Sequence, residues 1–534
     1  MYTSAHTDSF TRDNLPDKAL WPELKFDLPT LAYPERLNAA HELLSTGKPD
    51  RPAVIWPEGQ WTYAALTATV NRIARVLTED LGLVPGGRVL LRGRNTPMMI
   101  ACWYATLKAG GVAVATMPLL RAPELVKICD KADVTIALTE NILMDELSAA
   151  ATQARNSVVV IGFGEEGAAL EARMAGKDRG FDPVDTAQDD VALLAFTSGT
   201  TGAPKACMHF HRDVLAMADT YAAHILAPNE TDVFCGSPPI AFTFGLGGLV
   251  VFPARFGAAT ALPGAPTPEA LMDIIEHAGV TMLFTAPTAY RALLAKLDGR
   301  DISSLRRCVS AGESLPEATW QAWFDQTGLK LMDGIGATEM IHIFIAARED
   351  EIRPGSTGKP VPGYEACVQD EDGNILTPPA TGRLAVKGPT GCRYMADKRQ
   401  ARYVQNGWNI TGDTYHESED GYFTFIARSD DMIISSGYNI GGPEVEAALL
   451  AHAAVAECAV VGVPDEARGQ IVKAFVVLAP GANGDDALKE ALQLHVKQTI
   501  APYKYPRAIE FKKALPKTQT GKLQRFKLKE APCE

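Results

Sequence analysis

The 534-residue chain has no uninterrupted apolar run long enough to span a bilayer; its longest candidate, residues 245–262, is broken by Pro253 and Arg255. Its first residues, MYTSAHTDSFTRDN, contain no apolar signal core. Basic excess is also missing. A net charge of −13 gives no positive field to attract nucleic acid or an anionic membrane, so neither is expected as a partner. Any anionic substrate must then be held by local cations and backbone N–H groups. The nine cysteines include no C-x-x-C pair and are odd in number. That argues against a disulfide framework or a structural zinc site and for a reducing compartment. A cytoplasmic protein is the expectation. Internal repeats and low-complexity stretches are absent as well.

What is present is an ordinary globular composition, 46% hydrophobic and 22% charged, in a chain long enough for two or more domains. Thr62 is placed to cap a helix with Leu66, Val70, Ile73 and Leu77 on one face. RVLLRG (88–93), VAVATM (112–117), TIALTE (135–140) and SVVVIGF (157–163) read as buried strands, and Pro97 opens a helix that ends at Gly110 and Gly111. Such alternation predicts parallel sheets covered by helices. After about residue 355 the texture becomes β-rich, as in GRLAVKG (382–388) and YFTFIAR (422–428). A polar stretch, ARSDDM (427–432), introduces a last segment with its own helices and strands. The expected fold is α/β: a large N-terminal domain, 1–429, of helix-covered sheets plus a small β-rich region, and a small α+β C-terminal domain, 430–534.

Five runs carry chemistry. TSGTTGAPK (197–205) follows the apolar run VALLAF (191–196). Its glycine-rich backbone and the hydroxyls of Thr197, Ser198, Thr200 and Thr201 can cradle a phosphate, although a plain turn between strands would use the same residues. It is not a Walker motif, because G-x-x-x-x-G-K-[ST] is absent. DGIGATE (333–339) ends in Thr338 and Glu339. A carboxylate beside a phosphate loop is repelled unless a cation lies between, so Glu339 suits a Mg²⁺ ligand; a helix-starting Glu is the bland alternative. SAGESLP (310–316) can line a flat ring with backbone or simply cap a helix. In TGDTYHESEDGYFTFIARSDD (411–431), Asp413 can accept from ribose hydroxyls and Arg428 can donate nearby, though D-G and S-D-D are also hairpin chemistry. PKTQTGKLQR (516–525) holds Lys522, which would otherwise be a solvated basic tail.

In this order and spacing the runs resemble the adenylate-forming superfamily of acyl- and aryl-CoA synthetases, adenylation domains and luciferase, across roughly residues 50–525. The resemblance implies two half-reactions with ATP, Mg²⁺ and coenzyme A: a carboxylate attacks the α-phosphate to give an acyl-adenylate and pyrophosphate, and a thiol then displaces AMP. It places Thr197, Ser198, Gly199, Thr200, Thr201, Gly202 and Lys205 around pyrophosphate, with Thr200 and Glu339 on Mg²⁺. Gly312, Glu313, Asp333, Gly334, Ile335 and Thr338 fall to the nucleotide, and Asp413 and Arg428 to the ribose. Lys522 bridges the acid and the α-phosphate, Asp430 is the hinge of a mobile C-terminal domain, and Gly437 opens the pantetheine path.

Many relatives carry Tyr where this chain has Ile335, and His where it has Phe242. Both departures match the benzoate-CoA ligase branch. Phe242, Thr243, Ala311, Gly336 and His342 then line a thin apolar slot suited to an aromatic carboxylate, with His342 at its rim, although a satisfied helix or strand histidine would read the same. PKACMHFHRDV, with His209 and His211, looks most like 2-aminobenzoate-CoA ligases, which implies aromatic degradation. A medium-chain acyl-CoA synthetase, a stand-alone enzyme loading a carrier-protein thiol and a non-catalytic nucleotide binder stand as alternatives. With nine residues after Arg525 there is no expectation of a fused carrier domain. The resemblance leaves room for a homodimer and for a lysine acetyltransferase acting at Lys522.

Overall fold

A computed structural model describes residues 2–164, 168–197, 204–429, 431–435, 438–465, 468–517 and 523–529. Two large sheets share one core. The first runs Val159–Phe163, Ile136–Glu140, Arg88–Arg92, Val112–Thr116, Val191–Thr197, Lys205–Phe210. Its strands are parallel, except that the last pairs antiparallel with its neighbour. The second has nine strands, six of them parallel (Pro52–Trp56, Ala259–Ala261, Val233–Gly236, Met282–Thr285, Arg307–Ala311, Leu331–Gly336), with antiparallel edges.

Helices fill the space between the sheets. Thr62 caps Tyr63–Arg75 through the Ala65 N–H, and Leu66, Val70 and Ile73 are buried, as the spacing predicts. Leu77 is buried too, but one step beyond the α-helix, in the wider π turn Val76–Asp80. The helix Pro97–Lys108 is buried over ten of its twelve residues, so its sequence shows little amphipathic period. Residues 245–262 become the buried segments Thr243–Leu246, Gly247–Val251 and Phe252–Arg255, then the strand Ala259–Ala261. Among the described residues no helix is long and apolar enough to cross a membrane.

A five-stranded sheet follows, built on Glu365–Gln369, Ala380–Lys387 and Trp408–Glu417, with Val404–Gln405 and Phe423–Arg428 both paired to the last of these. A further sheet joins Tyr438–Ile440, Ile433–Ser435, Gly469–Leu478, Val455–Asp465 and Ala508–Phe511. The helices Gly442–Leu450 and Asp486–Thr499 contribute Val445, Leu449, Leu492 and Val496 to a separate apolar cluster with Val460, Val472 and Ala474. The proposed hinge, Asp430, lies outside the described residues.

The strands on either side of residues 198–203 pair antiparallel, with Thr197 opposite Lys205. The reason is the second strand: KACMHF is itself apolar and β-prone, so it pairs back along the first and does not start a helix.

Candidate functional site

The hairpin strand Lys205–Phe210 brings the first charged groups together. Lys205 Nζ lies 3.2 Å from the Tyr394 hydroxyl and 3.9 Å from Glu339 Oε1. The Tyr394 hydroxyl donates to the same carboxylate oxygen. Glu339 stands in the short 3₁₀ turn Thr338–Met340, which leaves the strand Leu331–Gly336. Burial raises the pKa of its carboxyl, and the Tyr394 hydroxyl and Lys205 only partly oppose that. Thr197 Oγ1 is buried without a partner among the described residues. Ser198, Gly199, Thr200, Thr201 and Gly202 lie outside the described residues.

The neighbouring strands of the nine-stranded sheet end at the same edge. Ala311 pairs with Gly334 and Ser310 with Asp333. Gly312 then takes φ +90°, with open space where a side chain would be, and Glu313 follows half-buried. Close neighbours explain two glycines: a Cβ on Gly334 would lie 2.9 Å from the Ile343 side chain, and one on Gly336 2.9 Å from the His342 backbone. Asp333 has its pKa pushed up to about 7 by burial. Ile335 is half-buried against the main core, and Phe242 is half-buried at the start of the helix bearing Thr243.

His342 is not at a rim. It is 2% exposed, with Phe252 at 4.6 Å, Tyr221 at 5.4 Å and Phe244 at 5.8 Å between ring centroids. Its backbone packs on Gly336 and its ring lies against Gly247, where a Cβ would come within 2.4 Å. Burial drops its pKa to about 3, with the Phe244 backbone acting in the opposite direction. Neither ring nitrogen completes a hydrogen bond among the described residues. Ile341, the residue before His342, has a left-handed φ of 65°.

Asp413 and Arg428 face each other across two antiparallel strands, with Nη1 2.9 Å from Oδ1. A ribose acceptor and donor would therefore come pre-paired, on the sheet beside the main body. Gly437 and Lys522 lie outside the described residues.

Tyr394 was missed by the sequence reading, together with Arg393 and Thr390. These come from PTGCRYMADK, a stretch with no chemical signature, and reach the site only because Cys207 pairs with Tyr394 across an isolated bridge.

The strand Lys205–Phe210, a glycine-lined sheet edge and a carboxylate turn, meeting beside a five-stranded sheet that packs into the main core, make this the fold of the adenylate-forming enzymes. The chain belongs to the AMP-binding enzyme family: residues 44–394 match that family and residues 444–522 its C-terminal domain. It is similar to the benzoate–CoA ligase of Thauera aromatica, 37% identical over 519 residues, 94% of this chain and 98% of that one. The solved structure of the anthranilate CoA ligase AuaEII in complex with anthranoyl-AMP matches with a TM-score of 0.87 at 33% identity, covering 94% of this chain and 98% of that one. Mouse acyl-coenzyme A synthetase ACSM3 (Mus musculus) is 33% identical over 531 residues, 93% of this chain and 91% of its own.

Proposed function

We propose that the chain is an AMP-forming aryl-CoA ligase that converts an aromatic carboxylate of the benzoate or 2-aminobenzoate type, through an acyl-adenylate, to its CoA thioester. Similarity to benzoate and anthranilate ligases supports the class. The observation that carries the 2-aminobenzoate member of that class is His342. A neutral imidazole, walled by three aromatic rings and with both nitrogens unpartnered, offers one N–H and one lone pair behind the thin glycine edge. A planar acid with an ortho amino group supplies the complementary donor, which an alkyl chain lacks.

Mg²⁺ enters with ATP as substrate. Glu339 fits that role. One of its oxygens is held by Tyr394, Oε2 has no donor among the described residues, and a divalent cation offsets the cost of burying its charge. No group of three or more His, Cys, Asp or Glu side chains among the described residues makes a separate metal cage. Glu339 and Lys205 then meet the β- and γ-phosphate end of the nucleotide, and Asp413 the ribose. Lys522, from the C-terminal domain, neutralises charge where the acid oxygen meets the α-phosphate. The thiol step needs no such cation, only an open path, so that domain swings about Asp430 to present the segment at Gly437. Adding a chelator should abolish AMP release, and restoring Mg²⁺ should return it; AMP release that survives chelation would remove Glu339 from this role.

A panel of benzoate, 2-aminobenzoate, 2-hydroxybenzoate and hexanoate, read as AMP release with CoA present, tests the reading. The aromatic acids should be turned over and hexanoate should lag well behind. Preference for hexanoate would make the chain a medium-chain acyl-CoA synthetase, and turnover only with a carrier-protein thiol would make it a stand-alone loading enzyme. His342→Leu should lower the 2-aminobenzoate-to-benzoate ratio of kcat/KM by roughly tenfold, the worth of one buried hydrogen bond. An unchanged ratio would free His342 from substrate recognition.

A further inference from the structure

The turn that presents Glu339 is strained and tied down at successive carbonyls. Ile341, directly after it, sits at φ 65° and ψ −35°, a conformation a β-branched residue keeps only where its surroundings impose it. The Thr338 carbonyl accepts from His209 Nε2 at 2.7 Å. The Cys207 sulfur lies 4.0 Å from the Glu339 carbonyl, and Thr390 Oγ1 donates to the Met340 carbonyl at 2.8 Å. Lys205, Cys207 and His209 alternate along one strand and so share a face. The strand Lys205–Phe210 therefore meets the Glu339 turn at three alternate positions.

His209 is the firmest of the three. It is 0% exposed, and its Nε2 must carry the proton because a carbonyl cannot donate. Behind the ring, Nδ1 faces Asp213 Oδ2 at 3.7 Å. Asp213 is itself fixed by the Arg393 guanidinium and by the Phe210 N–H at 3.0 Å. The imidazole is thus braced on one side by a buried ion pair and holds the turn on the other. His211, two residues on, does something else: its Nδ1 accepts from the Ala39 N–H at 3.2 Å, a link to a helix far from the turn.

We propose that His209 is a positioning residue for the adenylation half-reaction, holding the Thr338 carbonyl and through it the Glu339 carboxylate where the nucleotide phosphates and their cation are received. It touches no substrate. The inference rests on the role given to Glu339 above. A histidine that merely fills the core would affect both half-reactions alike and would tolerate any side chain of similar volume.

The experiment compares His209→Leu, His209→Gln and Glu339→Gln in the full chain. It measures benzoate-dependent ATP–pyrophosphate exchange against Mg·ATP concentration and, separately, CoA thiolysis of presynthesised benzoyl-AMP. The Gln amide keeps an N–H donor at about the reach of Nε2. We expect His209→Leu to lower exchange by roughly tenfold or more and to raise half-saturating Mg·ATP, with thiolysis within about twofold of wild type. His209→Gln should restore most of the exchange. The His209→Leu/Glu339→Gln double variant should be no worse than Glu339→Gln alone. Should His209→Leu fail to fold, His209→Asn, too short to reach Thr338, takes its place against Gln. Wild-type exchange in His209→Leu, equal losses in the Leu (or Asn) and Gln variants, or parallel losses in both half-reactions would each overturn the proposal. Undiminished exchange in Glu339→Gln would instead overturn the role of Glu339, which separates the two failures.

Discussion

Replacing Lys522 by alanine should slow adenylation by at least 10²–10³-fold, roughly the loss seen when one preorganised transition-state donor is removed, while thiolysis of preformed acyl-adenylate continues near the wild-type rate. The asymmetry follows from where charge develops. In the first step a carboxylate must approach a polyanion, so a cation at the forming bond acts on the transition state and not on the ground state. In the second step the acid is already activated as a mixed anhydride, and the thiol needs access more than charge. Lys522 lies outside the described residues, and its role rests on the resemblance of PKTQTGK to the family together with the C-terminal-domain match, which runs to residue 522. Acetylation of Lys522 removes the same charge and should give the same split, so an acetyltransferase would act as a switch on the first half-reaction. Pyrophosphate exchange and thiolysis, measured separately on the alanine variant and the acetylated protein, decide the matter. Exchange at the wild-type rate in either would end the mechanism proposed for this side chain.

Much of the α/β body was legible because its signals are local. Thr62 announced its helix by a cap that depends on residues three apart, and the strands at 88–92, 112–116 and 136–140 were visible as short apolar runs between turns. Strand direction was less accessible: nothing within KACMHF distinguishes a strand that pairs back from one that crosses over, since that is decided by what lies on either side. The site divides along the same line. Glycines 334 and 336 could be picked out as site residues, and the structure gives each its near neighbour. His342 was expected at the slot's rim, and its burial among Phe252, Tyr221 and Phe244 is set by residues far from it along the chain. The supports of the Glu339 turn were invisible for a different reason. Thr390, Arg393 and Tyr394 lie 50 residues or more from it along the chain, and in a single sequence nothing marks them as its neighbours.

The ion pair behind His209 should dominate the stability of this region. Asp213 and Arg393 both have fully buried side chains, and Arg393 donates directly to the carboxylate. Burial alone would push the Asp213 pKa up. Arg393, with help from His209 and Arg212, more than reverses this and holds the carboxyl below its usual range. Arg393→Met leaves that charge buried without its main partner, and such half-removal typically costs about 3–5 kcal/mol. The sign with pH follows from linkage. A carboxyl depressed in the folded state adds stability that is present above its unfolded pKa of about 3.9 and is lost as pH falls through the lower folded value. In Arg393→Met the same carboxyl is raised, so the folded variant gains a proton before the unfolded chain does. The stability gap between variant and wild type should therefore be widest near neutral pH and narrow as pH falls toward about 4. Asp213→Asn combined with Arg393→Met should recover part of the loss, because no charge is then left unpaired. Denaturant titrations of the three proteins between about pH 7.5 and 4.5 would show this as converging curves. A gap that stayed constant across that range would mean that the cost of Arg393→Met is lost packing over the Phe210 ring, whose centroid lies 4.1 Å from the guanidinium carbon, and not an abandoned charge.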